Sequence, residues 1–188
     1  MTSGKKTMEI DKIVYCFTAK NGKEVILRTP RGEDLDDLVE HINSLVDEGA
    51  EILRNTRVTR DQEAEWLEKN LADIKEEKLL FLVAEVDRRI VGTSAVRKRR
   101  GYSSHVGDLG VAISKDCRNI GIGTEMLETI ISEAKKAGIK TLFLRVFATN
   151  KTARHLYEKM GFKETGRTPN IFYKDRKYLD EVTMYKEL

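Results

Sequence analysis

The segment Arg118-Asn119-Ile120-Gly121-Ile122-Gly123-Thr124 constrains this chain more than any other. It follows an apolar, strand-like run, Leu109 to Ile113, and opens a helix-patterned one, Met126 to Ala137. A strand that feeds a glycine-punctuated turn and then a helix N-terminus builds an anion site. The first backbone N–H groups of the helix have no partner within it, and the helix dipole favours negative charge there. Glycine lacks the Cβ that would hold a phosphate off the backbone. The chain is therefore expected to bind a phosphorylated ligand.

The length of 188 residues suits one domain with a sizeable core. Hydrophobic residues make up 40% and charged residues 35%, the mark of a globular chain with a heavily charged surface. Cys16 and Cys117 match no metal or redox spacing and are expected as free thiols in a cytoplasmic protein. No cluster of His, Cys and carboxylates has metal spacing either, so no metal is expected. No apolar run approaches membrane-spanning length, and residues 1–7 lack the apolar core of a signal peptide. The net charge of +3 does not demand a nucleic-acid partner. The one concentrated basic run, Arg97-Lys98-Arg99-Arg100, precedes Gly101 and reads as a solvated hairpin tip or, alternatively, a docking patch for phosphate.

Residues 1–12 read as a polar tail, and 13–188 as one domain opening on a hairpin over 13–29 with an Asn21-Gly22 turn. Leu35, Leu38, Val39, Ile42, Leu45 and Val46 have helical spacing, and Gly49 to Thr59 reads as a loop. Thr59 caps a second helix, with Glu63 near the capping-box position. Strands follow over Leu79 to Val86, Ile90 to Val96 and His105 to Ile113, with a turn at Asp87-Arg88. After the glycine turn come a helix to Gly138, a strand over Lys140 to Phe147, and a short helix from Asn150 to Met160. Phe162 to Gly166 and Glu181 to Lys186 form a last strand pair, with Thr168 to Lys177 as a loop. This order predicts a single mixed α/β domain.

Among phosphate-binding turns, the Walker A loop needs a Gly-Lys-Ser/Thr ending, and Gly123 is followed directly by Thr124. The Rossmann fingerprint needs a third glycine, and Met126 stands in its place. Arg-x-x-Gly-x-Gly at a strand-to-helix turn instead resembles the coenzyme A loop of the GNAT (Gcn5-related N-acetyltransferase) superfamily. Downstream, Asn150-Lys151-Thr152-Ala153-Arg154-His155-Leu156-Tyr157, followed by Gly161-Phe162, resembles that superfamily's second hallmark. One helix and one strand join the two motifs, and the resemblance covers roughly residues 24 to 188.

The resemblance implies a GNAT fold: a mixed, mostly antiparallel central sheet with splayed strands, flanked by helices. It implies that Val111, Ala112 and Ile113 hold the pantetheine arm of acetyl-CoA through the strand backbone. Arg118, Asn119, Ile120, Gly121, Ile122, Gly123 and Thr124 would wrap the pyrophosphate. Asn150 would bond the pantetheine amide with Ala153 beside it, and Tyr157 would protonate the departing thiolate. Gly107 and Gly110 bracket the place where family members carry a bulge that opens the groove.

An ammonium acceptor must lose a proton before it attacks, so a carboxylate or His is needed as base. Asp108 is the favoured candidate and His105 the second. Arg118 has the alternative of pairing with a carboxylate such as Asp116, Tyr157 that of a core aromatic, and Trp66 is expected in packing. His41 shows no partner in the sequence, and His155 is expected to face solvent.

The resulting expectation is an enzyme that moves acetyl from acetyl-CoA directly to an amine. A protein lysine or N-terminal amine is the first acceptor class, and a polyamine or amino-acid-like amine the second. Gly49 to Thr59 and Thr168 to Lys177, including Tyr173, would form the acceptor pocket. The alternative is a non-catalytic acyl-CoA sensor. An exposed edge strand near the C-terminus leaves room for a homodimer.

Overall fold

The computed structural model describes residues 8–188. Eight strands form one sheet: β1 (Ile13–Thr18), β2 (Glu24–Arg28), β3 (Leu79–Val86), β4 (Arg89–Lys98), β5 (Val106–Ile113), β6 (Thr141–Phe147), β7 (Lys163–Lys174) and β8 (Lys177–Glu187). Their spatial order is β1-β2-β3-β4-β5-β6-β8-β7. Only β5 and β6 run parallel; every other neighbouring pair is antiparallel. The helices are α1 (Leu35–Asp47), α2 (Arg60–Lys75), α3 (Ile122–Lys136) and α4 (Lys151–Lys159).

The parallel pair is what the sequence order dictates. A helix sits between β5 and β6, and a crossover through a helix returns the chain in the same direction. Helix α3 buries Met126, Leu127, Ile130 and Ala134 completely, at the i, i+4, i+8 spacing of one apolar stripe. Each larger side chain among them contributes about 1.5–3 kcal/mol by leaving water.

The two helix pairs cover opposite faces. A Cβ on Gly92 would meet Met126 of α3, whereas Arg97, an odd number of residues further along β4, bonds Asn70 of α2. Side chains alternate along a strand. Even-numbered β4 residues therefore face α3, and odd-numbered ones face α1 and α2. Helix α1 packs on β4 and α2 on β3, leaving β6, β8 and β7 uncovered on that side.

Several expectations need correction. The capping partner of Thr59 is Gln62, whose side chain accepts from the Thr59 N–H; Glu63 is buried instead. Thr168 to Lys177 is not a loop but the outer half of a β7–β8 ribbon, closed by Asp175-Arg176. Both residues of that turn have positive φ, 50° and 61°, as do Asp87 and Arg88, at 50° and 62°. Two left-handed residues make the tight turn whose twist matches antiparallel strands. The same dipeptide thus closes two hairpins.

The described part of the expected N-terminal tail is docked. Met8 is buried, and its sulfur accepts from the Phe81 N–H at 3.4 Å. Arg97 binds Asp73 and Asn70, and Arg99 binds Asp108, so the basic run is not a free cationic patch. Trp66 meets Phe81 edge to face at 5.6 Å, a packing contact. No helix among the described residues is long and apolar enough to cross a membrane.

Candidate active site

The site begins where β5 and β6 part. They pair over only three rungs, Val106↔Thr141, Gly107↔Leu142 and Asp108↔Phe143. Beyond Asp108 the β6-side edge of β5 is open, and Val111, Ala112 and Ile113 lie along it, half-buried. The bulge expected between Gly107 and Gly110 is absent: β4 pairs with β5 without a shift from Gly92↔Ile113 to Lys98↔Gly107. Gly107 serves close packing instead. A Cβ there would sit 2.5 Å from Val96 Cγ1 and 3.1 Å from Ile139 Cδ1. The cleft therefore opens by divergence of the parallel pair, not by a kink in β5.

The open edge leads into the glycine turn. Asn119 and Gly121 have left-handed backbones, with φ of 63° and 100°. Gly121 is the N-cap of α3, and no side chain caps that helix start. Its first N–H groups are thus presented to whatever occupies the cleft, with the positive end of the dipole behind them. The β1–β2 hairpin buttresses the turn. The Lys20 N–H donates to the Ile120 carbonyl at 3.0 Å, and Ile120 and Ile122 pack with Ala19, Val25 and Leu27. Arg118 donates through Nε to the Ile113 carbonyl at 2.9 Å and forms an ion pair with Glu48, not with Asp116.

Helix α4 closes the cleft from the α3 side, with Leu156 against Gly123. Asn150 is its N-cap: Oδ1 accepts from the Ala153 N–H at 3.1 Å. Tyr157 is buried, edge to face with Phe162 at 5.9 Å, and burial pushes its phenol up to about 12. It is a neutral O–H donor throughout the ordinary pH range.

Asp108 stands on the last paired rung and faces the α1–α2 side, as Arg97 does opposite it. Arg99 grips it: Nε lies 3.1 and 2.9 Å from its two oxygens, and Nη2 lies 2.5 Å from Oδ1. The same guanidinium lies 4.9 Å from the centre of the Phe143 ring. Three of roughly four lone-pair sites of a carboxylate are thereby occupied. His105 precedes β5 and lies away from the cleft, beside Lys98, Arg99 and Gly138. His155 is exposed.

Alternation along β6 places Phe143, Arg145 and Phe147 on the uncovered face, and the continuous β6–β8 register adds Tyr185, Thr183 and Glu181 opposite them. Phe147 stacks on Phe172 of β7 at 3.9 Å. Phe172, not Tyr173, lines this face; Tyr173 is exposed on the other side against Tyr178. The 49–59 loop is pinned above it. Lys174 donates to the Gly49 carbonyl, and Thr149 donates to Glu51. Glu48 and Glu51 are both engaged, as are Arg57 with Asp47 and Arg60 with Asp36.

The family model for the acetyltransferase (GNAT) family matches residues 45–162. The chain belongs to the GNAT family. Among its relatives, an N-alpha-acetyltransferase of Sulfurisphaera tokodaii is 30% identical over 158 residues, covering 78% of this chain and 84% of that one. The L-amino acid N-acyltransferase MnaT of Escherichia coli is 25% identical over 165 residues, covering 86% and 93%. The crystal structure of a ribosomal-protein-alanine N-acetyltransferase from Brucella melitensis superposes with a TM-score of 0.76 at 27% identity, covering 86% of this chain and 99% of that one. The chain spans about half the length of the first curated relatives it matches.

One buried group near the glycine turn was not legible in the sequence. His41, on the inner face of α1, is buried, with Nδ1 2.8 Å from Ser114 Oγ and Nε2 without a partner among the described residues. Burial, with Arg118 nearby, pulls its pKa down to about 4. Unfolding returns the ring to about 6.5. The unfolded chain thus takes up the proton first, and this contribution to stability is whole above about pH 6.5 and lost progressively toward pH 4. The difference of about 2.5 units corresponds to about 3 kcal/mol. Urea unfolding at about pH 7 and about pH 4.5 should show that loss in the wild type and a smaller one in His41→Asn.

Proposed function

We propose that the chain is an acetyl-CoA-dependent N-acetyltransferase whose acceptor is an α-amino group. The carrying observation is the continuity of the open β5 edge with the uncapped start of α3, with the buried Tyr157 on the same side as α3. The three relatives named above are called after α-amines: an N-terminal one, an alanine of a ribosomal protein, and L-amino acids. That common chemistry supports the α-amine over a lysine side chain or a polyamine.

The residues along the cleft have the chemistry that acetyl-CoA requires. Val111 to Ile113 offer a strand edge to the pantetheine amides, and Asn150 keeps its side-chain N–H donors while Oδ1 caps α4. Residues 118–124 offer the backbone cradle and the Arg118 charge to the pyrophosphate. Acetyl-CoA supplies the acyl group as an activated thioester.

The amine must shed one proton before attack and a second as the amide forms, while the leaving sulfur gains one. Tyr157 donates its hydrogen bond to that sulfur. On the acceptor side, a carboxylate takes the first proton. Glu181 is the carboxylate of that face with no side-chain partner among the described residues, whereas Asp108 is gripped by Arg99. A second reading keeps Asp108 as the base after Arg99 swings aside, favoured by its position on the last rung before the splay.

The test is calorimetric binding of acetyl-CoA together with thiol release against free amino acids, N-terminal peptides, lysine peptides and polyamines. Binding with turnover on α-amines supports the reading. Binding without turnover on any amine favours the sensor alternative, and no binding overturns both.

A further inference from the structure

The open β5 edge is joined to the glycine turn by a short link, Ser114 to Arg118. Lys115 and Asp116 of this link are exposed, and Cys117 is the residue that joins the apolar cluster under the turn. Two residues of the α1 segment hold the link at its two ends. His41 Nδ1 lies 2.8 Å from Ser114 Oγ, and Glu48, the C-cap of α1, forms the ion pair with Arg118. They stand about two helical turns apart, so both lie on one side of the helix.

Neither residue suits its place on local grounds. His41 is 4% exposed and its Nε2 has no partner among the described residues, a desolvation cost that an apolar side chain would not carry. Glu48 adds a carboxylate to the negative end of the α1 dipole, next to Asp47 and with no basic residue in the last turn. Residues that break local preference cluster where function demands it. Here both direct a polar atom to the same link.

Arg118 shows what the link carries. Its Nε donates to the Ile113 carbonyl at 2.9 Å and its Nη2 to Glu48, while Nη1 has no partner among the described residues. Two anchors fix the plane of the guanidinium, and the rest of its fork keeps N–H donors for an anion. The link also sets the entry into Asn119 and Gly121, whose left-handed backbones lead to the uncapped start of α3.

We propose that His41 and Glu48 are positioning residues for the pyrophosphate of acetyl-CoA: His41 through Ser114, and Glu48 through Arg118, hold the link so that the β5 edge and the start of α3 meet one ligand together. This rests on the acetyl-CoA reading above and deepens it. When the link is loose the ligand must order it, and that cost lowers affinity. The pantetheine half lies along β5, before the link, and does not depend on it. Glu48 also offsets part of the Arg118 charge, so the orientation it gives outweighs that loss only if its removal weakens binding.

The experiment measures by calorimetry the affinity of each variant for acetyl-CoA and for acetyl-pantetheine, which keeps the thioester and both amides but has no pyrophosphate. Melting temperature is followed alongside. His41→Leu and Glu48→Ala should each weaken acetyl-CoA binding about 10-fold and leave acetyl-pantetheine within about twofold of the wild type. His41→Leu should melt no lower than the wild type, because it removes an unpartnered buried nitrogen, so its loss of affinity is not a loss of fold. Glu48→Ala, at a helix end, tests the inference independently of the core. His41→Asn, whose side-chain amide replaces Nδ1 as the partner of Ser114, should restore the affinity. In an Arg118→Gln background, Glu48→Ala should have no further effect. Unchanged acetyl-CoA affinity in both variants overturns the inference. Tighter binding by Glu48→Ala also overturns it, since Glu48 would then compete with the ligand for Arg118. Equal losses for the two ligands overturn it as well, because the whole cleft would have loosened. All three results leave the acetyl-CoA reading standing, whereas a wild type that does not bind acetyl-CoA overturns that reading too.

Discussion

Tyr157→Phe is expected to lower kcat about 100- to 1,000-fold while leaving the affinity for acetyl-CoA within about twofold. The magnitude follows from the state of the phenol. Burial holds its pKa near 12, whereas a model thiol sits at about 8.5. Complete proton transfer to the leaving sulfur would run uphill by about 3.5 units, or about 5 kcal/mol. A hydrogen bond aimed at charge developing on sulfur needs no such transfer, and removing one donor of that kind costs about 2.7–4 kcal/mol. The ring itself packs on Phe162, and phenylalanine keeps that contact. Steady-state thiol release beside calorimetric titration with acetyl-CoA separates the two quantities. An unchanged kcat would return Tyr157 to the core-aromatic role that its burial also allows.

The largest stability effect is expected at Asp34, where Asp34→Ala should cost about 3–5 kcal/mol. Arg28 is buried at the end of β2, with Nη1 and Nη2 each 2.7 Å from an oxygen of Asp34 and Nε 2.8 Å from Glu85. Its charge does not leave: the two carboxylates raise its pKa further, although burial opposes them. Truncating Asp34 therefore strands a guanidinium in the interior with half its partners gone. At about 2–4 °C per kcal/mol for a domain of this size, the melting temperature should fall by about 10 °C or more. Replacing the pair together by Arg28→Met and Asp34→Leu should recover most of the loss, because no charge is then buried. A small loss in the single variant would mean that water reaches Arg28. The consequence for the site is positional: Asp34 immediately precedes α1, whose far end carries Glu48, the partner of Arg118.

Legibility followed the range of the interactions involved. The hairpin at Asn21-Gly22, the apolar stripe of α1, the Thr59 cap and the strand-turn-helix at Gly121 are local patterns, and each was readable from spacing or turn chemistry. The Asp175-Arg176 turn is local too. Neither of its residues is glycine or asparagine, so its composition does not mark it, although it is identical to the Asp87-Arg88 turn. The absent bulge has a different cause. Gly107 and Gly110 look alike in the sequence, whereas a Cβ on Gly107 would strike Val96 and one on Gly110 would meet nothing within 4 Å. What a glycine is for depends on what lies opposite it, and its own strand does not say.

The site divides along the same line. Arg118 to Thr124, Asn150 and Tyr157 stand in two short motifs, so the side of the cleft proposed for the cofactor is visible as sequence. The acceptor side was not. Asp108 was readable as a carboxylate at a strand start, but the guanidinium that grips it belongs to Arg99, just past the end of β4 and nine residues earlier. Glu181 and Arg145 are 36 residues apart and look like ordinary strand charges until the register places them on one uncovered face. His41 and Ser114 are 73 residues apart, and no pattern links them.

By itself, then, the sequence determined the element types, the parallel crossover through α3, and a backbone anion cradle, because each depends on residues within a turn or two of one another. Only the tertiary structure decided where β5 and β6 part and which charges are matched across strands. Those outcomes depend on register and on which face each helix covers, and alternation turns a single register into the placement of every side chain along a strand.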